Sequence, residues 1–128
     1  MLSRIETAEA VDMAVLLSLE GAQVAGEPDL IVELIELYDE DTPRRLVAIR
    51  SALAEIDLAA LRRAAHGLKG SSASLGARRV AALCDELEAL PDEDSAREAE
   101  ALLTRLEREF ERARRAFADE RERRLRTG

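Results

Sequence analysis

The 128-residue chain contains one histidine and one lysine, three residues apart in His66-Gly67-Leu68-Lys69-Gly70-Ser71-Ser72. Every other cation is an arginine. Lysine is a compact point charge on a flexible stem and arginine a planar fork, so the two are not interchangeable where geometry matters. A lone lysine one helical turn from a lone histidine therefore points to a chemical requirement. Neutral imidazole is a nucleophile near pH 7. A phosphoryl group placed on it would bring roughly two negative charges, which neighbouring cations can offset.

The helix that carries these residues predicts how they are presented. At about 100° per residue, Leu61, Ala65, Leu68, Ser72 and Leu75 fall within about 40° of one another and define a buried face. His66 lies about 140° from Leu61 and is expected to face solvent. Arg62, Arg63 and Lys69 sit at i−4, i−3 and i+3 from it, which predicts cationic surroundings. Gly70 at i+4 has no side chain and Ala73 at i+7 a small one, so the ring is expected to stand in a clearing. A glycine inside a helix costs about 0.5–1 kcal/mol relative to alanine. Gly67 and Gly70 both lie within a turn of His66, and Ser71 and Ser72 are poor interior helix formers. Such a local sacrifice of stability is expected at a functional site.

Composition sets the frame for that helix. Residues are 47% hydrophobic and 36% charged, with 2% aromatics, 6 glycines and 3 prolines. Ala, Leu, Glu and Arg dominate, all helix formers apart from any packing. The size suits one domain spanning residues 1–128, with a core from about 10 to 115. The single Cys84 rules out an intramolecular disulfide, cannot make a zinc site with one histidine, and reads as a small buried hydrophobe. The run Asp39-Glu40-Asp41 reads as a solvated face rather than a magnesium site. No metal or cofactor is expected on the chain itself.

The net charge is −8, yet from Arg105 onward nine arginines face six acidic residues. The acidic body argues against nucleic acid as a partner. No apolar run approaches the roughly 18 residues of a membrane span. Glu6, Glu9 and Asp12 interrupt any signal-peptide pattern. A cytoplasmic, monomeric protein is expected.

Punctuation divides the chain into about five helices. Asp12 is a good N-cap for a first, short helix, and Ser3 with Glu6 has capping-box spacing before it. Gly21 and Gly26 bracket a loop, and Pro28 suits the first turn of a second helix running to about Ala54. Pro43 inside that helix is expected to kink it or mark a local irregularity. Asp57 is the expected N-cap of the third helix and Gly76 its stop. A fourth helix runs from about Arg78 to Leu90, with Val80, Leu83, Cys84 and Leu87 inward. The fifth carries Leu102, Leu103, Leu106, Phe110, Ala113 and Phe117; residues 116–128 are expected to project or fray. The fold class is all-α: an antiparallel up-down four-helix bundle with an additional short N-terminal helix.

The segment Ala65-His66-Gly67-Leu68-Lys69-Gly70-Ser71-Ser72, followed by Leu75-Gly76-Ala77 and Leu83-Cys84-Asp85-Glu86-Leu87-Glu88, resembles the histidine-containing phosphotransfer (HPt) domain of two-component phosphorelays. Residues 10–90 carry the likeness. It implies a bundle with an exposed phosphoacceptor histidine that exchanges phosphoryl groups with receiver-domain aspartates, without kinase activity of its own. By position, His66 is the phosphoacceptor through Nε2, Lys69 the cation beside it, and Gly70 the small residue that admits the receiver. Arg62 and Arg63 are expected near the phosphate. Implied partners are response-regulator receivers, which bring the magnesium, and a hybrid histidine kinase. Leu16, Leu17, Ile35 and Ala73 are the expected receiver contacts. Two other readings stand beside this one: a non-catalytic helical adaptor, and a module of a hybrid sensor kinase. The start at Met1 favours a free-standing protein.

Overall fold

A computed structural model describes residues 10–127; the Ser3–Glu6 capping pattern lies outside them. Among the described residues, five α-helices follow one another from Met13 onward: α1 (Met13–Ser18), α2 (Leu30–Ala54), α3 (Leu58–Leu75), α4 (Arg78–Glu88) and α5 (Ala96–Thr127). Among the described residues there is no strand. α3 packs against α2 and α4, and α5 packs against the same two helices, so four helices close a ring around one core. The short α1 lies against α3.

Local chemistry explains where the helices start and stop. The carboxylates of Asp12, Asp29 and Asp57 accept from the backbone N–H groups of Ala14, Val32 and Ala60, satisfying donors that a helix start leaves open. Gly76 ends α3 at φ +87°, and a Cβ there would stand 2.5 Å from the Asp12 carbonyl oxygen. That approach lets the Asp12 N–H donate to Gly76 O at 2.7 Å, tying α1 to the end of α3. Only glycine meets both demands. The α2–α3 turn uses Ile56 in the same left-handed region, at φ +53°, with its side chain exposed.

Two loop details differ from expectation. Gly21 lies inside a 3-10 turn, Leu19–Ala22, rather than in the loop. Pro28 precedes the cap Asp29 instead of occupying the first turn, because the aspartate carboxylate is the better partner for the open N–H groups. The Gln23 side chain pins this loop, donating to the carbonyls of Val24, Glu27 and Pro28 and accepting from Leu30 N at 2.7 Å. α2 runs through Pro43 without interruption.

The core is built as the periodicity requires. Leu61, Ala65, Leu68, Ser72 and Leu75 are the buried residues of α3. Tyr38 sits between Phe110 and Phe117 in edge-to-face contacts at 5.9 and 5.4 Å. Its hydroxyl is within 2.7 Å of Ser72 Oγ, and burial pushes its pKa up to about 12. Cys84 is buried, and burial likewise pushes its thiol up to about 12, so it is an inert apolar filler.

Up to Arg124 the end of α5 is held against the bundle and does not project, while Leu125 to Thr127 are exposed. Phe117 is fully buried and Glu120 nearly so. Arg124 reaches Glu20, Asp29 and Glu120, and Arg121 pairs with Glu36 at 2.6 Å. The acidic start of α2 and the preceding 3-10 turn hold the basic helix end in place.

Candidate functional site

α3 presents His66 on its outer face, with 74% of the side chain exposed. One ring nitrogen is committed: Nδ1 lies 3.1 Å from Glu88 Oε2 on α4. An ionised carboxylate only accepts, so Nδ1 carries the proton and Nε2 keeps its lone pair. The nucleophilic nitrogen is thus the one not occupied by the protein. Lys69 stands beside it, its ammonium 2.8 Å from Asp85 Oδ1 and 3.6 Å from Glu88 Oε1. The hydrogen bond to Asp85 raises the lysine pKa above its ordinary value, so the ammonium stays charged. Glu88 therefore bridges His66 and Lys69 through its two oxygens, and α4 acts as an acidic rail along one flank of the imidazole.

The other flank is open. A Cβ on Gly70 would meet nothing within 4 Å, so no packing or backbone demand accounts for the glycine. Ala73 is exposed one turn further along. Gly67 differs: a Cβ there would stand 2.2 Å from Arg45 Nη1. Arg45 on α2 is fixed by its Nε–H to Asp41 at 2.5 Å, and its guanidinium lies over α3 where residue 67 has no side chain. Next to this step runs a groove of about 270 Å³ between α2, α3 and the 3-10 turn, lined among others by Leu19, Leu34, Leu37, Arg45, Ser71 and Ser74. Arg45 lines this groove and also covers Gly67, the residue next to His66.

The sequence-based site is therefore partly regrouped. His66, Lys69, Gly70 and Ala73 share one face. Arg62 does not join them: it donates to the Leu90 carbonyl at the end of α4. It is drawn there because a helix C-terminus offers unsatisfied carbonyls. Arg63 is exposed on the outer side of α3. Leu16 and Ile35, expected on the docking surface, are both fully buried. Ile35 belongs to the inward stripe of α2 with Ile31 and Tyr38. Leu16 is the one residue that the six-residue α1 buries, which leaves its neighbour Leu17 exposed. The acidic run is not merely solvated: Asp41 and Glu40 pair with arginines, and Asp39 is half-buried with one carboxylate oxygen lacking a hydrogen-bond partner. Burial raises the Asp39 pKa despite Arg114 and Arg121 nearby. Sequence reading gave no role to Asp85, Glu88 or Arg45, although the first two stand in the segment that carries the family likeness. The signal for the first two was their i, i+3 spacing beside the inward Cys84–Leu87 pair; for Arg45 there was none.

An exposed, tautomerically fixed histidine on a helical bundle, with a lysine beside it and a glycine, Gly70, clearing its approach, defines a class, and comparison with known proteins names it. The Hpt domain model matches residues 33–116, and the chain belongs to that family. It is similar to histidine-containing phosphotransfer protein 2 of Arabidopsis thaliana, 36% identical over 69 residues, which are 52% of this chain and 44% of that protein. The match thus spans less than half of that relative's length. Two crystal structures share the fold. Histidine-containing phosphotransfer protein B (HptB) from Pseudomonas aeruginosa PAO1 is 36% identical with a TM-score of 0.75, covering 91% of this chain and 97% of that one. The maize histidine-containing phosphotransfer protein ZmHP2 is 25% identical with a TM-score of 0.77, covering 92% of each chain.

Proposed function

We propose that this protein is a phosphorelay intermediate. His66 accepts a phosphoryl group from a receiver-domain aspartate and passes it to another receiver. The observation that carries the reading is the His66–Glu88 hydrogen bond in an open clearing, which leaves Nε2 both nucleophilic and reachable. In the step itself, the Nε2 lone pair forms the N–P bond as the acyl O–P bond breaks, and the electron pair of that bond stays on the aspartate. No proton leaves the ring. Nδ1–H remains on the Glu88 carboxylate, which stabilises the positive charge that the imidazole acquires. Lys69 can turn from Asp85 toward the phosphoryl oxygens, since positioning and charge neutralisation are most of what phosphoryl transfer needs.

The chain carries no kinase chemistry in this reading, and magnesium belongs to the receiver. The receiver docks over Gly70 and Ala73 and into the groove lined by Leu19, Leu34 and Leu37, beside the exposed Leu17. A purely scaffolding role would leave an open imidazole with a dedicated carboxylate unexplained.

The test is labelling. Wild-type protein incubated with a phosphorylated receiver, or with phosphoramidate as a small phosphoryl donor, gains one acid-labile, base-stable phosphate. His66→Gln gains none. Equal labelling of the variant would sink the assignment.

A further inference from the structure

We propose that Arg45 is a second cation of the phosphoryl site, and that residue 67 is a glycine to admit it. The inference rests on the phosphorelay reading of His66 and adds a residue from a different helix. Three observations carry it. The Arg45 guanidinium occupies the space that a side chain at position 67 would fill, with Nη1 only 2.2 Å from the Cβ position. That places it against the backbone of the residue next to His66, on the flank opposite Glu88 and Lys69. Only its Nε is tied down, to Asp41; among the described residues its two terminal nitrogens have no acceptor. The side chain is also 37% exposed, so it faces the approach rather than the core.

Chemistry then assigns it a role. On the α4 side of His66, Lys69 is already shared by Asp85 and Glu88, and those two carboxylates would oppose an incoming dianion. Arg45 approaches from the side without carboxylates of α4. Its Asp41 partner sits behind it on α2, one helical turn back, at Nε. The free edge of the fork, Nη1 and Nη2, can bond two phosphoryl oxygens at once. Neither Gly67 nor Gly70 puts a side chain between that edge and a group on Nε2. Arg45 therefore supplies the charge that Arg62, held at Leu90, does not.

Gly67→Ala is the decisive variant, because it displaces the guanidinium without removing any charge. The clash is with the far end of a flexible side chain, and alanine is the better helix former, so the fold holds and the melting temperature stays equal or rises. Phosphorylation rates with phosphoramidate, followed by ³¹P NMR, are measured for wild type, Gly67→Ala, Arg45→Gln and the double variant. In each reaction the P–N bond of the donor breaks and ammonia leaves as Nε2 gains the phosphoryl group. Each single variant is expected to react about tenfold more slowly, the loss of one charge-assisted contact. The double variant should be no slower than Arg45→Gln, since both changes remove the same contact. Arg45→Lys should recover part of the rate. If Gly67→Ala reacts at the wild-type rate, or the double variant loses the product of both effects, Arg45 does not act across Gly67. If instead wild type itself is not labelled, the phosphorelay reading fails and this inference with it.

Discussion

Along α3 from Gly67 to Ser74, charge is spread thin and side chains are missing; along α5 from Phe117 to Arg124, both are concentrated. At the first region two glycines occupy a helix interior, and Gly70 has nothing to avoid. At the second, one arginine serves three carboxylates above a fully buried phenylalanine. Cation–carboxylate pairs thus do opposite work in the two regions. Near His66 the ion pairs fix one tautomer and leave a face empty. At the end of α5 they lock a helix whose apolar stripe has run out. A larger side chain should therefore harm function, not stability, at the first region. Truncation should harm stability, not function, at the second.

Phe117→Ala should give the largest effect. Its ring is fully buried and packs on Tyr38, so truncation should cost about 3–5 kcal/mol, read by chemical denaturation. The phosphorylation rate of the still-folded fraction should be unchanged. A proportionate loss of rate would mean that the two regions are coupled. Gly70→Leu is the mirror case. Its side chain enters open space on the His66 face, so stability should hold or rise by up to about 1 kcal/mol. Transfer from a receiver should fall at least about tenfold, equivalent to about 1.4 kcal/mol on the barrier. Phosphoramidate, being small, should be hindered far less. Equal slowing of both donors would argue that Gly70 tunes the imidazole rather than admitting a protein.

How much of this was legible in the sequence follows from the range of the interactions involved. The buried face of α3 could be read residue for residue, because an 18-residue amphipathic helix repeats its pattern five times. α1 could not: with six residues, periodicity does not separate Leu16 from Leu17, and burial is decided by α3. His66, Lys69 and Gly70 stand within one turn, so their common face followed from helical geometry. Their partners come from other helices. Glu88 is 22 residues from His66, and Arg45 is as far from Gly67, distances over which no local pattern operates. The tail of α5 held a readable signal that its charges masked. Phe110, Ala113, Phe117, Glu120 and Arg124 continue one three-and-four stripe, with an ion pair replacing the apolar residues in the last two places.

That stripe makes the next test of the comparison. Arg124→Ala removes the contacts to Glu20, Asp29 and Glu120 together, and leaves the nearly buried Glu120 with Arg123 alone. Solvent screens the outer partners, so the expected loss is about 1 kcal/mol, smaller at high salt. In a protein of this size that lowers the melting temperature by about 3–5 °C. Labelling of His66 should not change. A loss of labelling would show that the acidic loop held by Arg124 helps to form the receiver groove.

The smallest effect concerns acid. The hydrogen bond from Arg123 lowers the Glu120 pKa below its ordinary 4.5, and Arg124 acts in the same direction against partial burial. The folded state then binds fewer protons at this site than the unfolded chain. Its contribution is fully present above about pH 4.5 and fades as the pH falls through the lowered folded value. Asp39 works in the opposite sense, because burial raises its pKa, so the pH dependence of the whole protein is a difference between such groups. Glu120→Gln isolates one of them. Glutamine keeps the shape but cannot ionise, so at pH 7 the variant should be less stable by under about 1 kcal/mol. The two stability curves should converge as the pH drops below 4.5, since wild type loses the charge that the variant never had. Curves that stay parallel down to pH 3 would mean that Glu120 is held by packing, and that the arginines at the end of α5 are solvated after all.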